Sequence, residues 1–213
     1  MEAVLDYPLA YIKPQREPKL YTLGEYIIHE EKSQERYDYY NGELKRIPMA
    51  RGPHNEIAAN VIAAIKIATK GLDKTYRVFN SNQNIYLPKL NFGVYPDVLV
   101  VCEEPKYYDE NQVLLLNPLL VVEVLSRSTG KYDRGEKFIH YKSADSFKEY
   151  VLIEQDVCQV ETRFREEPNV WRETKETNIE NSIDLKSLGC SIALTDIYEH
   201  IVFKPIKQSR RRF

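Results

Sequence analysis

The 213 residues carry 30 Lys and Arg against 32 Asp and Glu, a formal net charge of −2 with pI about 6.1, which excludes strong overall basicity as a means of holding nucleic acid. At 43% hydrophobic and 29% charged residues, the composition is that of a soluble globular protein with one substantial core, and the apolar runs fall well short of a membrane span. Met-Glu-Ala at the start lacks the basic end and apolar stretch of a secretory signal, and Cys102, Cys158 and Cys190 form no C-x-x-C pair, so a cytoplasmic protein with buried free thiols is expected.

Residues 1–20, with Pro8, Pro14 and Pro18, read as an irregular arm. Thr22-Leu23-Gly24-Glu25 has the Ser/Thr-x-x-Glu form in which each side chain satisfies a free N–H of the other's residue, and it predicts a helix over 23–32. Tyr37 to Tyr40, Asn41-Gly42 and Glu43 to Ile47 predict a hairpin, because Asn-Gly supplies the positive φ angles of a tight turn. From His54 to about Thr69, Ile57, Ala58, Val61, Ile62, Ile65 and Ala68 recur at helical spacing, with Pro53 near the start and Gly71 past the end. Short strands are predicted over 76–79 and 84–87. Two apolar runs follow, YPDVLVV (95–101) and NPLLVVEVLS (117–126), which read as central strands buried on both faces with a surface loop between them. Next come a helix over about 131–143, a strand over 149–153, and an antiparallel extension of 158–165 and 170–174 turned at Pro168-Asn169. A short helix over 196–200 capped by Thr195 closes a single domain spanning 21–203, and residues 204–213 form a basic tail. This order fits an α/β fold, a mixed sheet flanked by helices.

Each buried run carries one carboxylate, Asp97 and Glu123. Burying an ionised carboxylate without a partner costs several kcal/mol or more, roughly, unless it is paired, protonated or bound to metal. Two such strands suggest a shared cation site. Hard oxygen ligands suit Mg²⁺ or Mn²⁺, and there is no His or Cys cluster for zinc. Lys137 is the best nearby cation, on a helix whose Asp133, Lys137 and Tyr141 share one face by their spacing of four.

Pro96-Asp97 opening a strand, Glu123 in E-V-L-S, and then Ser128-Thr129, Asp133, Lys137 and Tyr141 through the next helix resemble the Uma-two family, a branch of the PD-(D/E)xK nuclease superfamily. Tyr39-Tyr40-Asn41-Gly42-Glu43-Leu44, His54 heading the first long helix, and Glu149-Tyr150-Val151-Leu152-Ile153 are similar to further family motifs, over roughly residues 20–200. The resemblance implies a restriction-endonuclease-like core that uses Mg²⁺ or Mn²⁺ to cleave nucleic acid, with DNA as the expected substrate. Asp97 and Glu123 would hold the metal, and the Val124 carbonyl would add a ligand. The lysine expected two positions after the glutamate is Leu125 here; its role passes to Lys137, which would orient the nucleophile or stabilise the phosphate. A homodimer is expected, since two copies of one site cut both strands of a duplex most simply.

Plainer readings stand beside these. Asp97 after Pro96 can cap a turn, and Lys137 can form a helix-surface ion pair with Asp133. His54 falls in line with Ala58, Val61 and Ile65, so a core histidine bonded to a backbone group ranks ahead of a ligand or base; Glu56 lies off that stripe. Ser126, Ser128 and Thr129 shape a loop and cap the next helix. The alternative function is a catalytically inactive nuclease fold kept as a nucleic-acid or protein binding module.

Overall fold

The computed structural model describes residues 19–203. The expected arm over 1–20, but for its last two residues, and the basic tail 204–213 lie outside them. In chain order the chain forms α1 (Leu23–Lys32), the hairpin β1 (Tyr37–Tyr40) and β2 (Glu43–Arg46), then the long helix α2 (Gly52–Ala68). Strands β3 (Tyr76–Asn80), β4 (Asn84–Leu87), β5 (Phe92–Val94), β6 (Val98–Cys102), β7 (Leu114–Leu115) and β8 (Leu120–Leu125) follow. Helix α3 (Gly130–Tyr132), a π-helical segment (Asp133–Lys137) and α4 (Phe138–Tyr141) run on without a break. The chain closes with β9 (Glu149–Glu154), β10 (Val160–Glu167), β11 (Val170–Glu176), β12 (Ser182–Leu185), β13 (Cys190–Ala193) and a turn of helix α5 (Leu194–Ile197).

The expected local signals act as read. Thr22 and Glu25 form the reciprocal cap of α1, and Asn41 and Gly42 turn the β1–β2 hairpin with φ of 48° and 97°. The two apolar runs become β6 and β8, which pair antiparallel at the centre of a six-stranded sheet ordered β11-β10-β9-β8-β6-β3. All six residues of β8 are buried. Among the described residues β8 and β9 pair parallel in this sheet, and its other neighbours pair antiparallel. Alternation divides its side chains between two cores: Val98, Val100, Val122 and Val124 pack with α2 and the β12–β13 pair, while Leu99, Val101, Val121 and Leu125 pack with Tyr141, Phe147 and Tyr150.

The expected α/β fold, with mixed sheets flanked by helices, is what forms. Three details differ. Among the described residues the strands form three sheets: β4 joins β2-β1-β5-β4-β7, and β12-β13 stand apart. Strands β5 and β7, of three and two residues, are too short to show a period in sequence. The closing helix starts at Leu194, not 196, with Ala193 at its N-cap and no side-chain cap from Thr195. The three cysteines are free but half-buried. Among the described residues no helix is long and apolar enough to cross a membrane.

Candidate active site

The site forms where the β6–β8 ladder runs out. Val98 pairs with Val122, so Asp97, one residue before β6, comes level with Glu123. On the side where β6 no longer reaches, the Val124 N–H donates to Asp97 Oδ2 at 2.7 Å. Asp97 Oδ1 lies 2.9 Å from Nε2 of His54 in the first turn of α2. Asp97 therefore does not cap a turn of its own; it replaces a missing ladder partner and meets a histidine. His54 is not the backbone-bonded core residue its stripe suggested, because the stripe passes beyond the core at the helix start and opens on the site.

Glu123 is 3% exposed, and Lys137 on the π-helical segment is 7% exposed. Lys137 Nζ sits 2.7 Å from Glu123 Oε1, and the Tyr141 hydroxyl donates to the same oxygen at 3.0 Å. Asp133 Oδ1 lies 3.7 Å from Lys137, so that pair exists, buried and inside the site instead of on a helix surface. Asp133, Lys137 and Tyr141 do share one face. The segment is braced from behind: Tyr150 donates its hydroxyl to the Asp133 carbonyl at 3.0 Å, and Arg163 donates to the Arg134 carbonyl at 2.6 Å.

Burial pushes the Glu123 carboxyl well up despite Lys137, with Asp97 and Asp133 adding to the rise. For Lys137, burial works against the charge, but Glu123, Asp133, Asp38 and Asp97 outweigh it and hold the ammonium charged. Burial likewise raises the Tyr141 hydroxyl well above its ordinary value, so it stays a donor.

These groups lie at the base of a cleft of about 750 Å³ that also exposes Val124, Ser126, Ser128, Thr129, Arg36, Arg51 and Arg127. Ser126 Oγ lies 3.0 Å from the hydroxyls of both Ser128 and Thr129 and accepts the Thr129 N–H, which shapes the loop as expected; Thr129 at the N-cap of α3 makes no side-chain cap bond. Glu56 is exposed and does not line the cleft. Two participants escaped the sequence reading, Asp38 of β1 and the Tyr95 carbonyl, which accepts from Lys137 at 3.1 Å. Asp38 falls between tyrosines in a hairpin, and only the packing of the second sheet turns it inward.

Comparison with known proteins adds independent support for the fold. The Uma2 family model, described as "Putative restriction endonuclease", matches residues 23–195. "Uncharacterized protein sll1609" of Synechocystis sp. (strain ATCC 27184 / PCC 6803 / Kazusa) is 34% identical over 143 residues, 67% of this chain and 80% of its own. "Uncharacterized protein slr1290" of the same organism is 28% identical over 186 residues, 87% and 95% of the two chains. A crystal structure of "a putative nuclease belonging to DUF820" from Anabaena variabilis ATCC 29413 matches the fold with a TM-score of 0.67 at 17% identity, covering 85% of this chain and 99% of that one. Because the family match runs from α1 into α5, through Asp97, Glu123 and Lys137 on the way, the chain belongs to the Uma2 family.

Proposed function

We propose that the protein is a divalent-metal-dependent endonuclease that hydrolyses phosphodiester bonds in DNA and acts as a homodimer. The observation that carries this reading is the meeting of Asp97, Glu123 and Lys137, from two strands and a helix, at the base of one cleft.

The donor set fits Mg²⁺ or Mn²⁺. Asp97, Glu123 and Asp133 line the cleft around Lys137, and oxygen donors of this kind suit a hard divalent cation. Both side-chain partners of Glu123 engage Oε1, and Oε2 takes no hydrogen bond among the described residues. Among the described residues no group of three or more His, Cys, Asp and Glu side chains stands together as a metal site; Asp97 and Glu123 would hold the ion, with the Val124 carbonyl as a further ligand. When bound, such an ion supplies a more acidic water and neutralises charge on the phosphate oxygens.

The protein's own residues do the rest. His54 and the Val124 N–H fix the two oxygens of Asp97, and Tyr141 fixes the glutamate. Lys137, held charged, donates to the attacking water or to the phosphate as negative charge builds there; it does not serve as a base. Arg36, Arg51 and Arg127 line the cleft and would take neighbouring phosphates, Arg127 by exchanging its pair with Asp156 and Arg36 its bond to the Ser81 carbonyl, and Ser126 and Ser128 offer hydroxyl donors.

The test is cleavage of single- and double-stranded DNA by purified protein with Mg²⁺ or Mn²⁺, compared with Asp97→Ala. Cleavage lost in the variant is expected; equal cleavage by both would mean a contaminating nuclease. One observation favours a second reading, a nuclease fold retained for binding: Lys137 already neutralises Glu123 at 2.7 Å. Calorimetric titration with Mn²⁺ separates the two, since the binding module takes up DNA or a protein partner but no metal.

A further inference from the structure

Between the end of β5 at Val94 and the start of β6 at Val98, three residues carry the chain from the second sheet into the first. Tyr95 is the junction. Its N–H donates to Asp38 Oδ1 at 3.2 Å, and its carbonyl accepts from Lys137 Nζ at 3.1 Å. Pro96 has no N–H with which to anchor the crossing, and Asp97 follows at once. The Tyr95 side chain is tied down separately, its hydroxyl bonded to Glu30 of α1 and its ring 5.7 Å from the Arg36 guanidinium.

Asp38 is well supported for such a task. It sits in β1 opposite Lys45 of β2. Lys45 in turn lies 4.9 Å from the centre of the Tyr132 ring, next to the π-helical segment. The carboxylate is therefore fixed by the hairpin at one side and by the Tyr95 N–H at the other.

We infer that Asp38 is a positioning residue for Lys137, acting through the backbone of Tyr95, an inference that rests on the nuclease reading above. The path runs from the Asp38 carboxylate to the Tyr95 N–H, through that residue to its carbonyl, and on to the ammonium beside Glu123. Without the first bond the crossing loses its backbone anchor, and the carbonyl that aims Lys137 shifts. Displacement of a reacting group by about 1 Å can cost on the order of 10²-fold in rate. Among the described residues Asp38 has no hydrogen bond or ion pair to Asp97 or Glu123; its side chain is bonded to the Tyr95 N–H, and its influence passes through that residue to the lysine.

The test compares Asp38→Asn, whose side-chain oxygen can still accept the Tyr95 N–H, with Asp38→Ala and Asp38→Ser, which cannot reach it. In DNA cleavage, the Ala and Ser variants should lose about 10²-fold in kcat with KM within about threefold of wild type, while Asn keeps a kcat about tenfold above either. A second readout needs no activity: the rate at which an amine-reactive reagent labels Lys137, followed by mass spectrometry. Labelling should rise severalfold in Ala and Ser and stay at the wild-type rate in Asn. Wild-type labelling in Ala and Ser, or equal damage in Asn and Ala, overturns the inference. If labelling shifts as expected but the wild-type protein cleaves no DNA, the positioning stands and the nuclease reading falls. If Asp38→Ala does not fold, Ser and Asn carry the comparison.

Discussion

Lys137 is the residue on which the site's charge turns. It lies against Glu123 and Asp133, it is nearly buried, and it occupies the Glu123 oxygen that Tyr141 also binds. Replacing it by methionine keeps much of the side-chain volume and removes only the charge and its donors. Lys137→Met should lower single-turnover DNA cleavage by about 10²- to 10³-fold, the range for losing one transition-state donor. Mn²⁺ affinity should be retained or improved, because on the proposed reading the lysine and the ion would compete for Glu123; calorimetry checks this, and loss of Mn²⁺ binding would show that Lys137 serves the metal site instead. Much of this arrangement was legible: an acid breaking the apolar run of β8 must have a partner, and spacing of four aimed Asp133, Lys137 and Tyr141 together. His54 was misread because helical spacing locates a stripe but not where the core beneath it ends. Asp38 was missed because its role depends on contact with Tyr95, 57 positions away.

At the scale of elements, short-range chemistry was readable and pairing between short strands was not. Asn41-Gly42 defines one turn and Thr22/Glu25 one helix start, whatever the rest of the chain does. Strands β5 and β7 exist because β4 lies between them, a fact no local pattern encodes. The β12–β13 pair shows the same limit, although the alternation Ser-Ile-Asp-Leu, with Ile183 and Leu185 buried, was a usable signal. Its turn is held by Glu149 at the start of β9, whose buried carboxylate accepts the Lys186 and Ser187 N–H groups at 3.0 and 2.9 Å and the Ser187 hydroxyl at 2.7 Å. Burial raises the Glu149 pKa above its ordinary value, with those three bonds pulling the other way. The folded state thus keeps this proton to higher pH than the unfolded chain does. Its stabilising contribution is complete below the ordinary carboxylate value and is lost as pH rises through the folded value. Urea denaturation from about pH 4 to 7 should show wild type losing stability relative to Glu149→Gln as pH rises. A difference that is flat with pH, or of the opposite slope, would contradict this account of Glu149.

Across the whole molecule, the six-stranded sheet does two jobs. Its residues on both faces are buried against separate cores, which fixes β6 and β8 side by side, and at the end where their ladder stops it presents two acids to one cleft. Burying each large apolar side chain contributes about 1.5–3 kcal/mol, so a sheet packed on both sides readily offsets the cost of holding charged groups where its central ladder ends. That cost should fall when a divalent ion is supplied, and a ligand that binds only the folded state stabilises it by about 2.7 kcal/mol at one hundred times its Kd. The most direct measurement is therefore the unfolding free energy of wild type, Asp97→Ala and Glu123→Ala with and without saturating Mn²⁺, no substrate present. Stabilisation of the wild type by roughly this amount, absent from both variants, is the expected result. Equal stabilisation of all three proteins, or none of the wild type, would contradict the claim that Asp97 and Glu123 together hold a metal ion.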